Sequence, residues 1–189
     1  MKTLTLYIAI AITSISFIAC NSNTSNTQKG KEDSSAISST DNPLNGSTIE
    51  IVNSYLQLKN ALTQDNDKDA AAAAGELVSA FAKFDRTSLS ADQSKVYTDI
   101  ESDAKEHAEH IGANVGNIVH QREHFETLSK DIYDLVKNFG SGQKLYYDHC
   151  PMYNNNKGGN WLSETKEISN PYLGKAMPDC GTVKEELNL

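Results

Sequence analysis

The chain has 189 residues, 17 Lys and Arg against 25 Asp and Glu, a formal charge of −8 and an isoelectric point near 5.1. That balance argues against nucleic acid as a partner, because binding phosphates needs a concentration of cations that is absent here. A length of this order fits one domain plus a tail and can bury a core, while no Gly-x-Ser-x-Gly, phosphate loop or catalytic carboxylate pair stands out, so no enzyme is expected.

Residues 1–19 read as a lipoprotein signal peptide. Lys2 supplies the positive start, Leu4 to Ile18 is an apolar stretch broken only by hydroxyl residues, and Phe17-Ile18-Ala19-Cys20 closes it with a small residue before cysteine. The run is short of the roughly 20 residues that span a bilayer, so cleavage before Cys20 and lipidation of that cysteine fit better than a transmembrane anchor. This predicts a protein tethered to a lipid bilayer in the bacterial cell envelope, periplasmic or outer-membrane associated. Residues 20–46 are dominated by Ser, Asn, Thr, Gly, Lys and Asp, with almost nothing to bury, and read as a disordered spacer.

Between residues 47 and 140 apolar residues recur at helical spacing in four segments. The first, from about Thr48 to Thr63, sets Val52, Tyr55, Leu58 and Leu62 on neighbouring turns. The second, from about Lys68 to Phe84, opens on Ala70 to Ala74 and continues through Leu77, Phe81 and Phe84; alanine favours the helix and lets a partner approach closely. Ser90 with Gln93 has capping-box spacing, and a third helix follows with Tyr97, Ile100, Ala104, His107 and Ile111 on one stripe. Gly112 to Gly116 breaks or kinks the pattern. The fourth helix carries Ile118, Arg122, Phe125, Leu128, Ile132, Val136 and Phe139 up to Gly140. The expected fold class is all-α, an antiparallel four-helix bundle.

From residue 141 to 189 the helical period disappears, and Asn154 to Gly159 and Asn170 to Gly174 are strong turn signals. This stretch nevertheless holds the only tryptophan and four of the eight tyrosines, so it is expected to pack on the bundle as an irregular C-terminal cap.

With Cys20 spent on lipid, Cys150 and Cys180 remain as a pair in an oxidising compartment. One reading is a disulfide closing a loop of about 30 residues and stabilising by about 3 to 4 kcal/mol. The other is a metal site. Met152 follows Cys150 by two positions and Met177 precedes Cys180 by three, and these are the only methionines besides Met1. Soft sulfur ligands select Cu(I), although methionine also fills core gaps without any metal.

The histidines are His107 and His110 on the third helix, His120 and His124 on the fourth, and His149 beside Cys150. Each helical pair shares a face and could grip a metal, but the Glu-x-x-His of di-iron bundles is absent. His107, His110 and His120 read as polar-face or core histidines. His124, between Arg122 and Phe125 in HQREHFETLS (His120 to Ser129), is the better nitrogen ligand; Arg122 and Glu123 there could fix a neighbouring segment.

HQREHFETLS, together with YYDHCPMYNNNKGGNWLSETKEISNPYLGKAMPDCGTVKE from Tyr146 to Glu185, resembles an uncharacterised family of bacterial envelope domains. Its members occur alone as lipoproteins and fused to the C-terminus of periplasmic adaptor subunits of copper- and silver-type heavy-metal efflux pumps. The resemblance runs from about Thr48 to the end, its specific part being Cys-Pro-Met, Trp-Leu-Ser, Asn-Pro-Tyr and Met-x-x-Cys-Gly. It implies copper handling beside efflux pump components. In the fused relatives the residue before Cys-Pro-Met varies, which leaves His149 the least required ligand. Ala176 and Pro178 stand beside Met177 where the family often has bulkier or basic residues.

The expected function is binding of a soft metal, copper as Cu(I), for buffering or delivery to efflux. Cys150 and Cys180 would be thiolate ligands, Met152 and Met177 thioether ligands, and His124 and His149 nitrogen ligands. Pro151, Gly158 and Gly159 would shape the loop, and Trp161, Tyr147 and Tyr172 would shield it. The alternative is a disulfide-stabilised interaction module of the envelope without metal.

Overall fold

The computed structural model describes residues 43–188. The expected signal peptide, the lipidated Cys20 and most of the spacer lie outside the described residues. No described helix is long and apolar enough to cross a membrane.

Four long helices form the expected bundle: α1 (Pro43–Thr63), α2 (Asp67–Lys83), α3 (Ala91–Ala113) and α4 (Ile118–Phe139). Each packs on the next in sequence, and α4 closes back on α1, the arrangement that short connections impose on antiparallel neighbours. The first helix begins at Pro43, inside the stretch read as spacer, because proline suits the first helical position, where its missing N–H costs nothing. Val52, Tyr55, Leu58 and Leu62 are all buried, as the periodicity requires. The alanines Ala70, Ala73, Ala74 and Ala80 line the buried face of α2.

Helix ends follow local chemistry. Ser90 and Gln93 complete the expected capping box, with Gln93 N–H donating to Ser90 Oγ at 3.2 Å and Ser90 N–H to Gln93 Oε1 at 3.0 Å. The third helix runs through Gly112 and stops only at Asn114, where the backbone leaves the helix. Asn117 caps α4 through its side chain, and Gly140 ends it with φ 84°.

The cap is more regular than the turn-rich sequence suggests. It contains a three-stranded antiparallel sheet in the order β2-β1-β3, formed by β1 (Lys144–Cys150), β2 (Gly159–Ser163) and β3 (Thr182–Asn188), with a helical turn α5 (Tyr153–Asn156) and a 3-10 turn (Gly174–Ala176) between strands. The central strand pairs Asp148 with Trp161 on one side and, past an irregularity between Tyr147 and Asp148, with Val183 on the other.

The cap and the bundle share one core. Leu145, Cys150, Trp161, Leu162, Tyr172 and Leu187 belong to the same buried cluster as the bundle residues. Tyr55 Oη lies 2.8 Å from Ser129 Oγ and accepts the Leu162 N–H of β2 at 3.0 Å. Lys59, 1 % exposed, donates to Glu164 at 2.7 Å. Arg122 does fix a neighbouring segment, donating through Nε to the Pro171 carbonyl at 2.7 Å and through Nη2 to the Leu62 carbonyl at 2.9 Å and the Asp65 carboxylate.

Candidate functional site

The two cysteines, thirty positions apart in sequence, come together in space. Cys150 is the last residue of β1, opposite Gly159 of β2, and is buried. Cys180 lies just before β3 and is half-buried. Their sulfurs are 2.9 Å apart, well beyond the length of about 2.05 Å that an S–S bond requires. Both thiols are free, so the disulfide expected as one reading is not formed in this structure.

Asn170 builds the loop that delivers Cys180. This fully buried residue donates through Nδ2 to the Cys180 carbonyl at 2.6 Å and through its backbone N–H to the Pro178 carbonyl at 2.8 Å. Its Oδ1 accepts the N–H groups of Tyr172 and Leu173 at 2.8 and 2.9 Å. One side chain thus ties the segment before the 3-10 turn to the segment after it. Close packing does the rest: a Cβ on Gly181 would come 2.8 Å from Trp161 Cη2, so only glycine lets the chain pass the indole there.

The two sulfurs differ electrostatically. Burial pushes the Cys150 thiol up, but hydrogen bonds from the Cys180 thiol, the Met152 and Tyr153 backbone and the Asn170 side chain outweigh it and hold Cys150 below its ordinary value. The hydrogen bond with Cys150 holds the Cys180 thiol above its ordinary value, burial adding to the effect.

The methionines flank this pair with their side chains in reach of solvent. Met152 is 50 % exposed and Met177 40 % exposed, so neither thioether is committed to filling the core. The Cys180 N–H donates to the Met177 carbonyl at 3.4 Å, so this methionine and cysteine share one tight turn.

Neither proposed nitrogen ligand joins the thiols. Among the described residues no His or carboxylate ligand atom forms a group of three with both sulfurs within 4.8 Å. His149 precedes Cys150 on a strand, where successive side chains point to opposite faces, and its Nδ1 lies 2.8 Å from Asn160 Oδ1. Its ring lies over Gly158, where a Cβ would come 2.4 Å from Cε1 and where φ is +87°, so glycine is required twice over. His124 instead meets other histidines: its Nδ1 is 3.0 Å from His107 Nδ1 and its Nε2 is 3.2 Å from His120 Nε2. Burial, with the neighbouring His110, His120 and His107 adding to it, holds the His124 imidazole below its ordinary pKa.

The aromatic residues divide in the same way. Trp161 and Tyr172 are buried with ring centroids 5.9 Å apart, and Tyr153 stacks on Tyr172 at 4.2 Å. Tyr147 leaves the site and packs on Tyr133 of α4 at 4.2 Å. Sequence reasoning did not single out Asp148, whose carboxylate oxygens are buried without a hydrogen-bond partner and whose pKa burial pushes up to about 6 against the pull of Lys59. Its cross-strand neighbour Trp161 also has a buried Nε1 with no partner. Nor did it assemble the histidines, although pairs three and four residues apart on either side of a short turn were the available signal.

No curated protein and no solved structure matches the chain. Residues 51–144, from the third turn of α1 to the first residue of β1, match the model of a family described as "Protein of unknown function (DUF3347)"; the match takes in most of the bundle and stops before the cysteine- and methionine-bearing part of the cap.

Proposed function

We propose that the protein binds a soft metal ion, Cu(I), between Cys150 and Cys180, with Met152 and Met177 as thioether ligands. The observation that carries this reading is that the fold sets Cys150 and Cys180 side by side with both thiols free, each in a turn with a methionine; a shared ion, with metal–sulfur bonds of about 2.3 Å, would spread the sulfurs from 2.9 Å to roughly 3.8 Å or more. Thiolate and thioether donors favour Cu(I) over harder ions, and a site with one buried and one half-buried sulfur leaves a path for entry and release. In this proposal lipidation at Cys20 tethers the protein in the bacterial envelope, and copper is buffered there or passed to heavy-metal efflux components.

The test is competition for Cu(I) between the reduced protein and a chromophoric chelator. One equivalent is expected to bind, with at least a tenfold loss of affinity in Met152→Leu and no detectable uptake in Cys150→Ser. Unchanged uptake in Cys150→Ser would sink the proposal. The same 2.9 Å approach favours a second reading, in which an oxidant couples the sulfurs and the cap serves as an interaction surface. Thiol labelling and mass measurement on protein taken directly from the envelope decide between them, a fully oxidised pair favouring the second.

A further inference from the structure

Four of the five histidines converge where α3 ends and α4 begins, well apart in chemistry from the sulfur pair. His110 lies in the last turn of α3 and His120 in the first turn of α4. Each of His110, His120 and His124 offers one ring nitrogen, and the three nitrogens lie within 4.8 Å of one another. We propose that His110, His120 and His124 form a second metal site, selective for a borderline divalent cation of the Zn2+ and Cu2+ class, with His107 and Glu123 as its positioning residues.

Ring geometry supports the assignment. A tetrahedral ion with metal–nitrogen bonds of about 2.0–2.1 Å places neighbouring ligand nitrogens about 3.3 Å apart, and the Nε2 atoms of His120 and His124 stand 3.2 Å apart. Both rings have their other nitrogen engaged. His124 Nδ1 is 3.0 Å from His107 Nδ1, and His120 Nδ1 is 3.1 Å from Glu123 Oε2. When Nε2 holds an ion, each Nδ1 carries the proton and donates it, to the His107 lone pair in one case and to the Glu123 carboxylate in the other. This is the arrangement by which metal-binding imidazoles are oriented and their tautomers fixed. His110 is exposed, stacks flat on His124 at 4.4 Å with 4° between planes, and offers a ring nitrogen within 4.8 Å of the other two.

The hairpin that carries these rings is held rigid. Gln121 donates through Nε2 to the Asp67 carbonyl at 2.9 Å and the Ile111 carbonyl at 3.1 Å, joining α2, α3 and α4. Gly116 N–H donates to Asp67 Oδ2 at 2.6 Å. Three imidazoles without a thiol suit borderline divalent ions such as Zn2+ and Cu2+, and three protein ligands leave a fourth position for water or an exchanging partner.

The experiment titrates the reduced full chain with Co2+ and then with Zn2+. One equivalent of Co2+ is expected to bind with visible d–d bands but no thiolate-to-cobalt charge transfer, and Zn2+ should displace it. His124→Ala should abolish uptake. His110→Ala, at an exposed position where folding is not at risk, should weaken it by at least tenfold, and His107→Ala should weaken it about tenfold with the stoichiometry kept. Absence of Co2+ and Zn2+ uptake, a spectrum carried by thiolate bands, or full affinity in His110→Ala would overturn the proposal. Because the readout is nitrogen ligation, the site stands or falls independently of Cu(I) binding at Cys150 and Cys180.

Discussion

In the bundle, Val52, Tyr55, Leu58 and Leu62 repeat at the helical period and every one of them is buried. In the cap, the buried residues Leu145, Cys150, Trp161 and Leu162 acquire their places only when β1 pairs with β2 and the sheet lies against α1 and α4. A helix declares its inner face through neighbours three and four positions away, whereas a strand depends on partners set by register. The same contrast governs chemistry: the histidine cluster is made by a four-residue turn between helices, while the sulfur pair is made by a loop closure across thirty positions.

Because one continuous core spans both regions, they are expected to unfold together despite this difference in how they are specified. Trp161→Ala is the sharpest way to break that view. Removing the largest fully buried side chain should cost about 3–5 kcal/mol, and far-ultraviolet dichroism, dominated by the bundle, should fall in the same transition as near-ultraviolet dichroism from the cap aromatics. Two separated transitions would show that the cap is only an attachment, and that Tyr55, Lys59 and Arg122 do not couple it to the helices.

The bundle was legible in the sequence down to particular side chains. Ser90 and Gln93 form the capping box their spacing announces, and Arg122 does hold a distant segment. The strands were not legible, for physical reasons. The third strand, Thr182–Asn188, is an edge whose exposed residues, Thr182, Lys184, Glu186 and Asn188, are polar or charged, so it shows no apolar run. The first alternates poorly because its pairing with β3 slips between Tyr147 and Asp148. The turn signalled after Cys150 is formed, with Asn154, Asn155 and Asn156 at positive φ, but a turn signal does not reveal that the residues on either side of it pair as strands. At the candidate site, Cys150 and Cys180 were legible as a pair, but strand alternation, invisible while the cap was read as irregular, sends His149 elsewhere.

A smaller effect separates the regions by pH. Asp131 of α4 is pushed up to about 7, chiefly by burial and then by Asp103 and Asp134, with Lys130 opposing, and its Oδ2 is buried without a partner. A carboxyl whose folded pKa lies above its ordinary value binds its proton more tightly folded than unfolded. Stability from this group is therefore full below about pH 4 and is lost as pH rises toward 7. Asp131→Asn should raise stability at pH 8 by about 1–2 kcal/mol, after the screening that a half-buried group retains, and should flatten the slope between pH 4 and 7. Denaturant melts across that range check it. Asp148 in the cap, pushed up to about 6 by burial, and the raised Glu126 add slope of the same sign, while His124, held below its ordinary value, adds slope of the opposite sign.

The smallest expected effect tests whether the bundle's local signals act locally. Ser90→Ala removes the acceptor for the Gln93 N–H at the start of α3 and should cost about 1 kcal/mol. The lost cap lies at the opposite end of α3 from His110, and it touches neither Asn170 nor the sulfurs. The variant should therefore lower the denaturation midpoint while leaving Cu(I) competition and Co2+ titration unchanged. If either metal affinity moved with it, the geometry of the corresponding site would depend on the whole bundle, and the hydrogen bonds of Asn170 and Gln121 would not suffice to hold the sulfur loop and the histidine hairpin in place.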